Sequence, residues 1–362
     1  MKNNITILFY INSIKRGGAE RVISQLANTF SDNGYTTILL TSFIDENEYI
    51  LNNNVIRLSL ESEKKVQSRL KKNISRIKLI REICKENNVN VLVSFMAEPN
   101  YRALVATLGL STKTVISVRN DPQKEYAGFL GKFLGTFLLP IADGCVFQTK
   151  EAQQWFPVRL QKKSKIIFNQ VDEKFFRAYW RNGKKIVTLG RLTKQKNQIM
   201  LIKAFNELAF EFKDIYLEIY GEGELKKELQ AEINQLPCRD RIVLKGITSD
   251  PVSVLEDCAM FVLSSDFEGM PNALLEALAV GVPCISTDCP CGGPRSIIRN
   301  EKNGILINVN DMSSLVDSMR KVLNNNEYSY QLANNAKKSA RIYSPNKVFR
   351  EWENFVLKIC NI

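Results

Sequence analysis

Short apolar runs alternate with segments of helical spacing along most of this chain. In the first half, the runs predict buried strands at residues 5–11, 37–43, 89–95, 114–118 and 145–148. Periodic segments at 19–30, closed by Gly34, and at 66–86 predict helices between these strands. The apolar runs are continuous rather than alternating, which is typical of strands covered on both faces. The pattern therefore predicts an α/β protein built on parallel sheets.

The same alternation starts again in the second half of the chain. It predicts strands at 184–189, 216–220, 242–245, 260–264 and 283–287, an extended segment at 304–309, and helices at 198–210, 224–234, 272–280 and 313–323, with another starting at 250–251. The restart predicts two doubly wound, Rossmann-like domains at 1–170 and 184–344, a linker at 171–183, and a C-terminal helix at about 345–362 that packs back on the first domain. Ligands of such sheets bind at the carboxyl ends of the strands, so a crevice between the domains is the expected site.

Composition narrows the chemistry, because the 362 residues include no histidine. This excludes Ser-His-Asp and Cys-His nucleophile pairs and imidazole metal sites. Proton transfer must use a carboxylate, Lys, Tyr, Cys, the substrate or water. Of the eight cysteines, Cys284, Cys289 and Cys291 are close in sequence, but no second cluster completes a four-ligand site. We interpret them as thiols in or near a core, and expect no metal.

Positive charge is concentrated in the first half of the chain. Residues 1–180 contain 26 Lys and Arg against 16 Asp and Glu, whereas residues 181–362 contain 24 against 22. The first half is therefore a candidate for an anionic partner such as a nucleic acid, an anionic membrane or a phosphorylated substrate. The segment that comes nearest to a membrane span, 129–139, is too short and contains Lys132. No signal peptide is recognisable, so a cytoplasmic location is expected.

The first candidate motif is the pair Gly17-Gly18, which follows the first predicted strand and precedes a helix. Glycines at this point let the backbone approach a ligand, and a helix N-terminus favours anions. The segment does not match G-x-G-x-x-G, which argues against a dinucleotide site. The alternative interpretation is a tight strand–helix turn without a ligand.

The second candidate is the loop GRLTKQKN at 190–197, after the first strand of the second domain. Arg191 offers a planar fork and Lys196 a point charge, and both suit a diphosphate at the carboxyl end of a strand. The alternative is a solvated basic loop.

The third candidate is DFEGMPNALLE at 266–276, the most specific of the three. Glu268 lies in a loop after a strand, and Pro271 fits the first turn of the next helix. Glu276 lies about one and a half turns into that helix, close to apolar positions. The first-turn amides would form an anion site, and they belong to Met270, Asn272 and Ala273. The alternative makes Glu268 a helix-dipole partner and Glu276 a surface residue.

With these three motifs in this order, the chain resembles the GT4 family of retaining, nucleotide-sugar-dependent glycosyltransferases, which have the GT-B fold. The resemblance extends from Gly17 to the segment at 303–306 and the final helix. The stretches SVRNDP (117–122), QTKEAQ (148–153) and TDCPCGGPR (287–295) are similar to a bacterial surface-polysaccharide subgroup. That subgroup includes N-acetylgalactosaminyltransferases that extend polyprenyl-diphosphate-linked glycans.

The resemblance implies a role for each motif. Arg191 and Lys196 would hold the donor diphosphate, Glu276 would bind the ribose hydroxyls, and Glu268 would face the donor sugar. Gly17 and Gly18 would close over the reaction centre. The backbone amides of Met270, Asn272 and Ala273 would bind sugar and phosphate. Gly221 and Val243 would lie beside the base. The family needs no metal or other cofactor besides its nucleotide-sugar substrate.

One departure from the family is Arg119. Many members have a histidine at the carboxyl end of a first-domain strand, and here Arg119 occupies that place in SVRNDP. Arginine cannot act as a base. It could hydrogen-bond the donor sugar or phosphate, together with Asn120 and Asp121. We therefore favour attack from the face of the departing diphosphate, whose oxygen could take the acceptor proton.

The predicted helix at 66–86 is preceded by lysines and is rich in basic residues. It is a basic amphipathic helix, because apolar residues recur at helical spacing, namely Val66, Leu70, Ile74, Ile77, Ile80 and Ile83. We predict that its cations attract an anionic membrane and the diphosphate of a lipid-linked acceptor through Lys64, Lys65, Arg69, Lys72 and Arg76. The segment 129–139 could add apolar insertion. The alternative is a core-packing helix with a solvated positive face. Nucleic acid is not expected, since no RRM, KH or helix-turn-helix pattern is present.

The sequence thus predicts a cytoplasmic, retaining glycosyltransferase, peripheral on the inner face of the plasma membrane. It would move a hexose or N-acetylhexosamine from a nucleotide sugar, with UDP favoured, to a polyprenyl-diphosphate-linked saccharide. Two alternatives are a GT-B-like UDP-sugar epimerase and a non-catalytic nucleotide-sugar-binding subunit of a transferase complex.

Overall fold

Two parallel sheets organise the chain. The computed structural model describes residues 4–15, 17–61 and 69–361, with the side chain of Arg69 left out. The chain divides into two compact units, Met1–Asn169 with Asn346–Ile362, and Gln170–Pro345. We call them unit 1 and unit 2. The predicted α/β class with parallel sheets is confirmed.

Unit 1 contains a seven-stranded sheet in the order β3-β2-β1-β4-β5-β6-β7, and every pairing is parallel. Its strands are β1 Thr6–Ile11, β2 Thr36–Thr41, β3 Ile56–Ser59, β4 Val91–Phe95, β5 Lys113–Ser117, β6 Gly144–Phe147 and β7 Ser164–Ile166. The five strands expected from the sequence are present to within two residues at each end. The short strands β3 and β7 were not predicted, because their residues are only partly buried and their apolar pattern is weak.

The helices of unit 1 connect these strands. They are α1 Gly18–Asp32, α2 Arg69–Glu86, α3 Ala97–Thr107, α4 Pro122–Glu125, α5 Gly128–Phe137, α6 Lys150–Gln154 and α7 Val158–Gln161. Two helix starts have side-chain caps. Asp121 accepts from the Gln123 amide ahead of Pro122, and Thr149 accepts from the Ala152 amide.

Unit 2 contains a six-stranded parallel sheet in the order β10-β9-β8-β11-β12-β13. Its strands are β8 Lys185–Leu189, β9 Tyr216–Tyr220, β10 Ile242–Gly246, β11 Met260–Leu263, β12 Cys284–Thr287 and β13 Ile305–Ile307. Its helices are α8 Glu173–Arg177, α9 Gln198–Leu208, α10 Lys226–Asn234, α11 Pro251–Glu256, α12 Asn272–Val280, α13 Gly293–Ile297, α14 Met312–Asn324 and α15 Asn326–Ala340. Asp311 caps α14 by accepting from the Ser314 amide at 3.0 Å.

The last helix, α16 Pro345–Ile359, packs in unit 1 although it follows unit 2 in sequence. Its Trp352 is fully buried and stacks on Phe95 with ring centroids 5.8 Å apart. Phe349 meets Phe30 of α1 edge-on at 5.0 Å. The apolar face of α16 therefore completes the core beneath the unit 1 sheet.

Helix α2 differs from the amphipathic helix that the sequence predicted. Its C-terminal half packs on the sheet through Ile77, Ile80 and Ile83. Leu70 and Ile74, expected on the same buried face, are 71% and 48% exposed. The apolar stripe is therefore buried over the second half of the described helix only. No helix within residues 4–15, 17–61 and 69–361 combines the length and apolarity needed to cross a bilayer.

Both sheets have the doubly wound strand order, in which successive connections reverse direction at one point. The reversal falls between β1 and β4 in unit 1 and between β8 and β11 in unit 2. Loops diverge from the carboxyl ends of the two strands there and leave room for a ligand. These switch points determine where functional side chains can meet.

Candidate active site

The switch point of unit 2 brings the second and third sequence motifs together. The loop 190–197 leaves β8 and the loop 264–271 leaves β11, and the two strands are neighbours. Backbone hydrogen bonding joins the loops, since the Asp266 amide donates to the Gln195 carbonyl at 2.8 Å. The Ser264 hydroxyl donates to the Lys196 carbonyl at 2.9 Å. The two motifs therefore form one structural element.

An ion pair lies at the centre of this element. Lys196 Nζ is 2.5 Å from Glu268 Oε1, and both side chains are largely buried. The buried Ser265 hydroxyl donates to the same Oε1 at 2.7 Å. Gln195 Nε2 donates to the Phe267 carbonyl at 2.9 Å and makes a longer contact of 3.5 Å with Glu268 Oε2. Oε1 is thus held by two close donors, while Oε2 is held less tightly.

The left-handed backbone of Asn197 stabilises the end of the first loop. Its φ is 44°, a region that asparagine tolerates better than most residues. Its side-chain amide donates to Asp266 Oδ1 at 2.8 Å, and its carbonyl oxygen caps α9 at the Met200 amide. Asn197 therefore both starts the helix and ties the two loops together.

Glycines allow two further loops, those after β9 and β12, to approach the two motif loops. Gly221, which follows β9, has a φ of 144°, and a Cβ there would overlap the Gly190 carbonyl oxygen. A Cβ at Gly293 would likewise overlap the Gly269 carbonyl oxygen. Only glycine fits either position, so the loops after β9 and β12 lie directly against the two motif loops.

The helix start after Glu268 differs slightly from the prediction. Helix α12 begins at Asn272, with Pro271 just before it rather than inside its first turn. The amides of Met270, Asn272 and Ala273 lie at this start. Glu276 is only 6% exposed, as is Glu268. The alternative that made Glu276 a surface residue is therefore wrong.

Arg191 occupies a different environment from Lys196. Its side chain is exposed, and its carbonyl accepts from Gln198 Nε2 at 2.9 Å. The structure thus brings Lys196 onto Glu268 but leaves the Arg191 guanidinium in solvent. Val243, predicted beside the base, lies on β10 and is 40% exposed.

In unit 1, the glycine motif lies at the corresponding switch point. Gly17 is extended, with a φ of −158°, and α1 starts at Gly18. The Gly17 carbonyl accepts from the Tyr49 hydroxyl at 3.2 Å, and Lys15 pairs with Asp45 at 3.2 Å. The loop after β2 therefore supports the loop that carries both glycines.

Arg119 is buried at the carboxyl end of β5. Its Cζ lies 4.3 Å from the centre of the Phe95 ring, and its Nη2 donates to Asn169 Oδ1 at 2.5 Å. Gln148 Nε2 donates to the same oxygen at 2.7 Å. Burial lowers the pKa of Arg119 to about 9, partly offset by the Glu125 carboxylate.

The basic segment is only partly described. Lys64 and Lys65 lie outside the described residues, as does the side chain of Arg69. Lys72 and Arg76 pair with Glu61 at 2.8 and 3.3 Å, and the Arg76 side chain is only 12% exposed. Each of these two cations therefore has Glu61 as a carboxylate partner, and their role toward an anionic membrane or acceptor stays a prediction.

Two of the clustered cysteines, Cys284 and Cys289, are buried thiols. Burial raises the pKa of Cys289 to about 12, so it stays protonated at neutral pH. Across the described part of the chain, no group of three or more Cys, Asp and Glu side chains is arranged to hold a metal ion.

Sequence reasoning missed the residues that hold the functional side chains. These are Gln195 and Ser265 around Glu268, and Glu125, Gln148 and Asn169 around Arg119. The available signal was position, because Ser265, Gln148 and Asn169 each follow closely after a strand. Which of these polar residues contact each other can be predicted only when the order of the strands in the sheet is known.

Comparison with solved structures agrees with this architecture. The crystal structure of HepE from Anabaena in complex with UDP superposes with a TM-score of 0.81, covering 97% of this chain and 99% of that one at 16% identity. This likeness shows the fold, and the chain has the GT-B fold that the sequence predicted.

Residues 171–339 match the family described as glycosyl transferases group 1. Two Campylobacter jejuni proteins are similar over nearly the whole chain. One is N-acetylgalactosamine-N,N'-diacetylbacillosaminyl-diphospho-undecaprenol 4-alpha-N-acetylgalactosaminyltransferase, 28% identical over 96% of this chain and 98% of its own length. The other, 26% identical over 98% and 99%, is GalNAc-alpha-(1->4)-GalNAc-alpha-(1->3)-diNAcBac-PP-undecaprenol alpha-1,4-N-acetyl-D-galactosaminyltransferase.

Proposed function

We propose that this glycosyltransferase moves an N-acetylhexosamine or hexose from a nucleotide sugar to a polyprenyl-diphosphate-linked saccharide. The observation that carries the proposal is the Lys196–Glu268 pair at the switch point of unit 2, beside the start of α12. A cation, a carboxylate and a helix start at one place suit a sugar joined to a diphosphate.

The cations, the carboxylates and the helix start indicate that the donor is a sugar joined to a nucleoside diphosphate. Lys196, Arg191 and the amides at the start of α12 bind the diphosphate, and Glu268 contacts the sugar. Glu276, buried one turn further on, binds ribose hydroxyls. Gly221 lets the loop after β9 approach the nucleoside closely. UDP is the nucleotide that we favour, and no metal is required because the cations and the helix start offset the diphosphate charge.

The reaction that we propose retains the anomeric configuration. The acceptor hydroxyl oxygen bonds to the anomeric carbon on the face from which the diphosphate leaves. The bond from that carbon to the diphosphate oxygen breaks, and the hydroxyl proton passes to a diphosphate oxygen. Lys196 and Arg191 stabilise the developing charge. The alpha linkages in both relatives' names support retention, since an alpha donor and an alpha product share one configuration.

The acceptor assignment rests on the same two relatives, whose names specify undecaprenol-linked diphosphate acceptors. Both names describe sugar transfer, which favours a transferase over the epimerase and the non-catalytic subunit. A lipid-linked acceptor also fits the surplus of positive charge in residues 1–180.

Peripheral membrane association completes the proposal, on the cytoplasmic face where nucleotide sugars are available. Helix α5 exposes four large apolar side chains, and these are Phe129 at 89%, Leu130 at 67%, Phe133 at 49% and Phe137 at 64%. An exposed apolar cluster of this size is typical of a surface that inserts into a membrane interface. Lys132 lies within the same helix.

The direct test is a screen of UDP-sugars for thermal stabilisation, followed by transfer onto a synthetic polyprenyl-diphosphate saccharide. We expect one UDP-N-acetylhexosamine or UDP-hexose to raise the melting temperature and to support transfer with an alpha product. Epimer formation without acceptor would contradict transfer. Donor binding without transfer to any lipid-linked saccharide would favour the non-catalytic subunit instead.

A further inference from the structure

The loop after β1 and the loop after β2 are hydrogen-bonded to each other at several points along their length. Close to the strands, the amides of Ser42 and Phe43 donate to the Asn12 carbonyl at 2.9 and 3.2 Å. Further out, the Tyr49 amide donates to the Ile14 carbonyl at 3.0 Å. The position of the loop after β1 therefore depends on the loop after β2.

Lys15 joins the same two loops through both its backbone and its side chain. Its backbone forms an antiparallel β-bridge with Glu48. Its Nζ lies 3.2 Å from Asp45 Oδ2. The pairing of the loops thus continues up to the residues just before Gly17.

The loop after β2 is in turn anchored to the rest of unit 1. Arg57 of β3 donates to Glu48 from Nε at 3.2 Å and from Nη2 at 2.7 Å, and these two side chains are 22% and 18% exposed. Asn28 of α1 accepts from the Asn52 amide at 2.9 Å. The chain is therefore held by β3 just before Tyr49 and by α1 just after it, which fixes where Tyr49 lies.

The Tyr49 side chain reaches the glycine motif itself. Its hydroxyl donates to the Gly17 carbonyl at 3.2 Å. The same carbonyl accepts from the Arg21 amide at 3.1 Å, at the start of α1. Two donors from different elements thus fix the direction of the Gly17 carbonyl.

The direction of this carbonyl also determines the direction of the Gly18 amide. The Gly17–Gly18 peptide is trans, so its C=O and N–H groups point to opposite sides of one plane. Because the carbonyl points into the first turn of α1, the N–H points out of the helix start. That start lies at the switch point of unit 1, where the loops leave room for a ligand.

We infer that Tyr49 is a positioning residue for sugar transfer, because its hydroxyl holds the Gly17–Gly18 peptide in the orientation that lets the Gly18 amide donate to an oxygen of the nucleotide sugar. The inference rests on the proposed function and deepens it. In this role Tyr49 acts through Gly17 and does not contact the substrate. A fixed amide of this kind stabilises the charge that develops as the bond to the diphosphate breaks.

A second tyrosine of unit 1 provides a matched control. The Tyr35 hydroxyl donates to Glu353 Oε1 at 2.8 Å and joins the start of β2 to α16. This hydrogen bond lies at the amino-terminal edge of the sheet, away from the switch point. Tyr35→Phe therefore removes a comparable hydrogen bond without touching the glycine motif.

The test compares Tyr49→Phe, Gly18→Pro and the double variant with Tyr35→Phe and the wild-type protein. Gly18→Pro removes the amide proton and keeps the helix start, because proline suits the first helical position and Gly17 before it is extended. Transfer from the UDP-sugar to the lipid-linked acceptor gives kcat and KM. The Ki of UDP reports donor binding, and the melting temperature reports stability.

We expect Tyr49→Phe to lower kcat about tenfold or more, because misplacing a positioned group by about 1 Å costs rates of this order. The Ki of UDP should stay within about twofold of wild type, since the lost interaction acts on the transition state. The double variant should be no slower than Gly18→Pro, because both changes act on one amide. Tyr35→Phe should keep the wild-type kcat.

Four results would overturn the inference. A kcat within about twofold of wild type in Tyr49→Phe would show that the hydroxyl is not needed. Losses that multiply in the double variant would show that Tyr49 acts by another route. A Ki of UDP that rises as kcat falls would show a general loss of donor binding. An equal fall of kcat in Tyr35→Phe would show that any lost tyrosine hydrogen bond in unit 1 has this effect.

A second variant keeps the inference testable if Tyr49→Phe or Gly18→Pro does not fold. Arg57→Gln releases Glu48, the residue before Tyr49, and should lower kcat while the Ki of UDP stays unchanged. An unchanged kcat in Arg57→Gln would then overturn the inference. If the wild-type protein and Tyr35→Phe transfer no sugar, the proposed function fails and the inference is overturned with it. If both transfer sugar and Tyr49→Phe does so equally well, only the inference fails.

Discussion

Lys196 and Glu268 form a buried ion pair across the switch point of unit 2, with Nζ and Oε1 2.5 Å apart. The Ser265 hydroxyl binds the same oxygen, so the carboxylate is oriented before any substrate arrives. Preorganised charge of this kind costs no rearrangement when charge develops in the transition state. The pair therefore has consequences for both stability and activity.

We predict that Lys196→Ala destabilises unit 2 by about 3 kcal/mol, because it leaves Glu268 buried without its cation. The double variant Lys196→Ala with Glu268→Gln should recover most of that loss. Chemical denaturation followed by circular dichroism measures both. Equal destabilisation in the single and double variants would show that the charge of Glu268 is not what matters.

Glu268→Gln should lower turnover about a hundredfold or more while donor affinity changes little, because the shape is kept and the charge beside the sugar is lost. Glu228→Gln, exposed on α10, is the control and should behave as wild type. Steady-state kinetics with the donor found in the screen measures the effect. Near-normal turnover would mean that Glu268 does not face the reacting sugar.

Arg191→Ala should weaken donor binding about tenfold without changing stability, since the guanidinium is exposed and needs no internal partner. The neighbouring Lys194 is also exposed, and Lys194→Ala should have a much smaller effect. Calorimetric titration with the UDP-sugar distinguishes the two. Unchanged affinity in Arg191→Ala contradicts its role at the diphosphate.

Membrane binding should depend on the apolar face of α5. The double variant Phe129→Ser with Phe133→Ser should reduce co-sedimentation with anionic vesicles at least tenfold, because each exposed ring loses its burial in the interface. Phe210→Ser, which removes a 66% exposed ring in unit 2, should leave binding unchanged. Equal binding by all three proteins would place the membrane contact elsewhere.

Stability should vary with pH through Glu125. Burial raises its folded-state pKa from 4.5 to about 7, so the folded protein binds this proton more tightly than the unfolded chain. The wild-type protein should therefore lose about 2–3 kcal/mol as pH rises from about 4.5 to 7, and no more above that. Glu125→Gln should lack this component when urea unfolding is compared at pH 5 and pH 8. Parallel pH curves for the two proteins would contradict the raised pKa.

The local apolar pattern was sufficient to predict most of the strands, since buried runs such as those that form β1 and β4 are almost entirely apolar. It was not sufficient for β3 and β7, whose partly buried residues lack that signal. It also overstated α2, where spacing suggested one continuous buried stripe but Leu70 and Ile74 lie beyond the edge of the packed surface. Periodicity shows which face of a helix is apolar, and not how far its packing partner extends.

For the site, the sequence alone determined which chemical groups are available and their order along the chain. It also showed that the chain has no histidine, and that Arg119 stands where many members of the family it resembles have a histidine. Only the tertiary structure decided which groups meet. Strand order places the loops after β8 and β11 side by side and so brings Lys196 onto Glu268, 72 positions apart. Asn169 likewise comes to Arg119 across 50 positions. Contacts at such separations depend on the register of parallel strands, which is a property of the whole sheet and of no single motif.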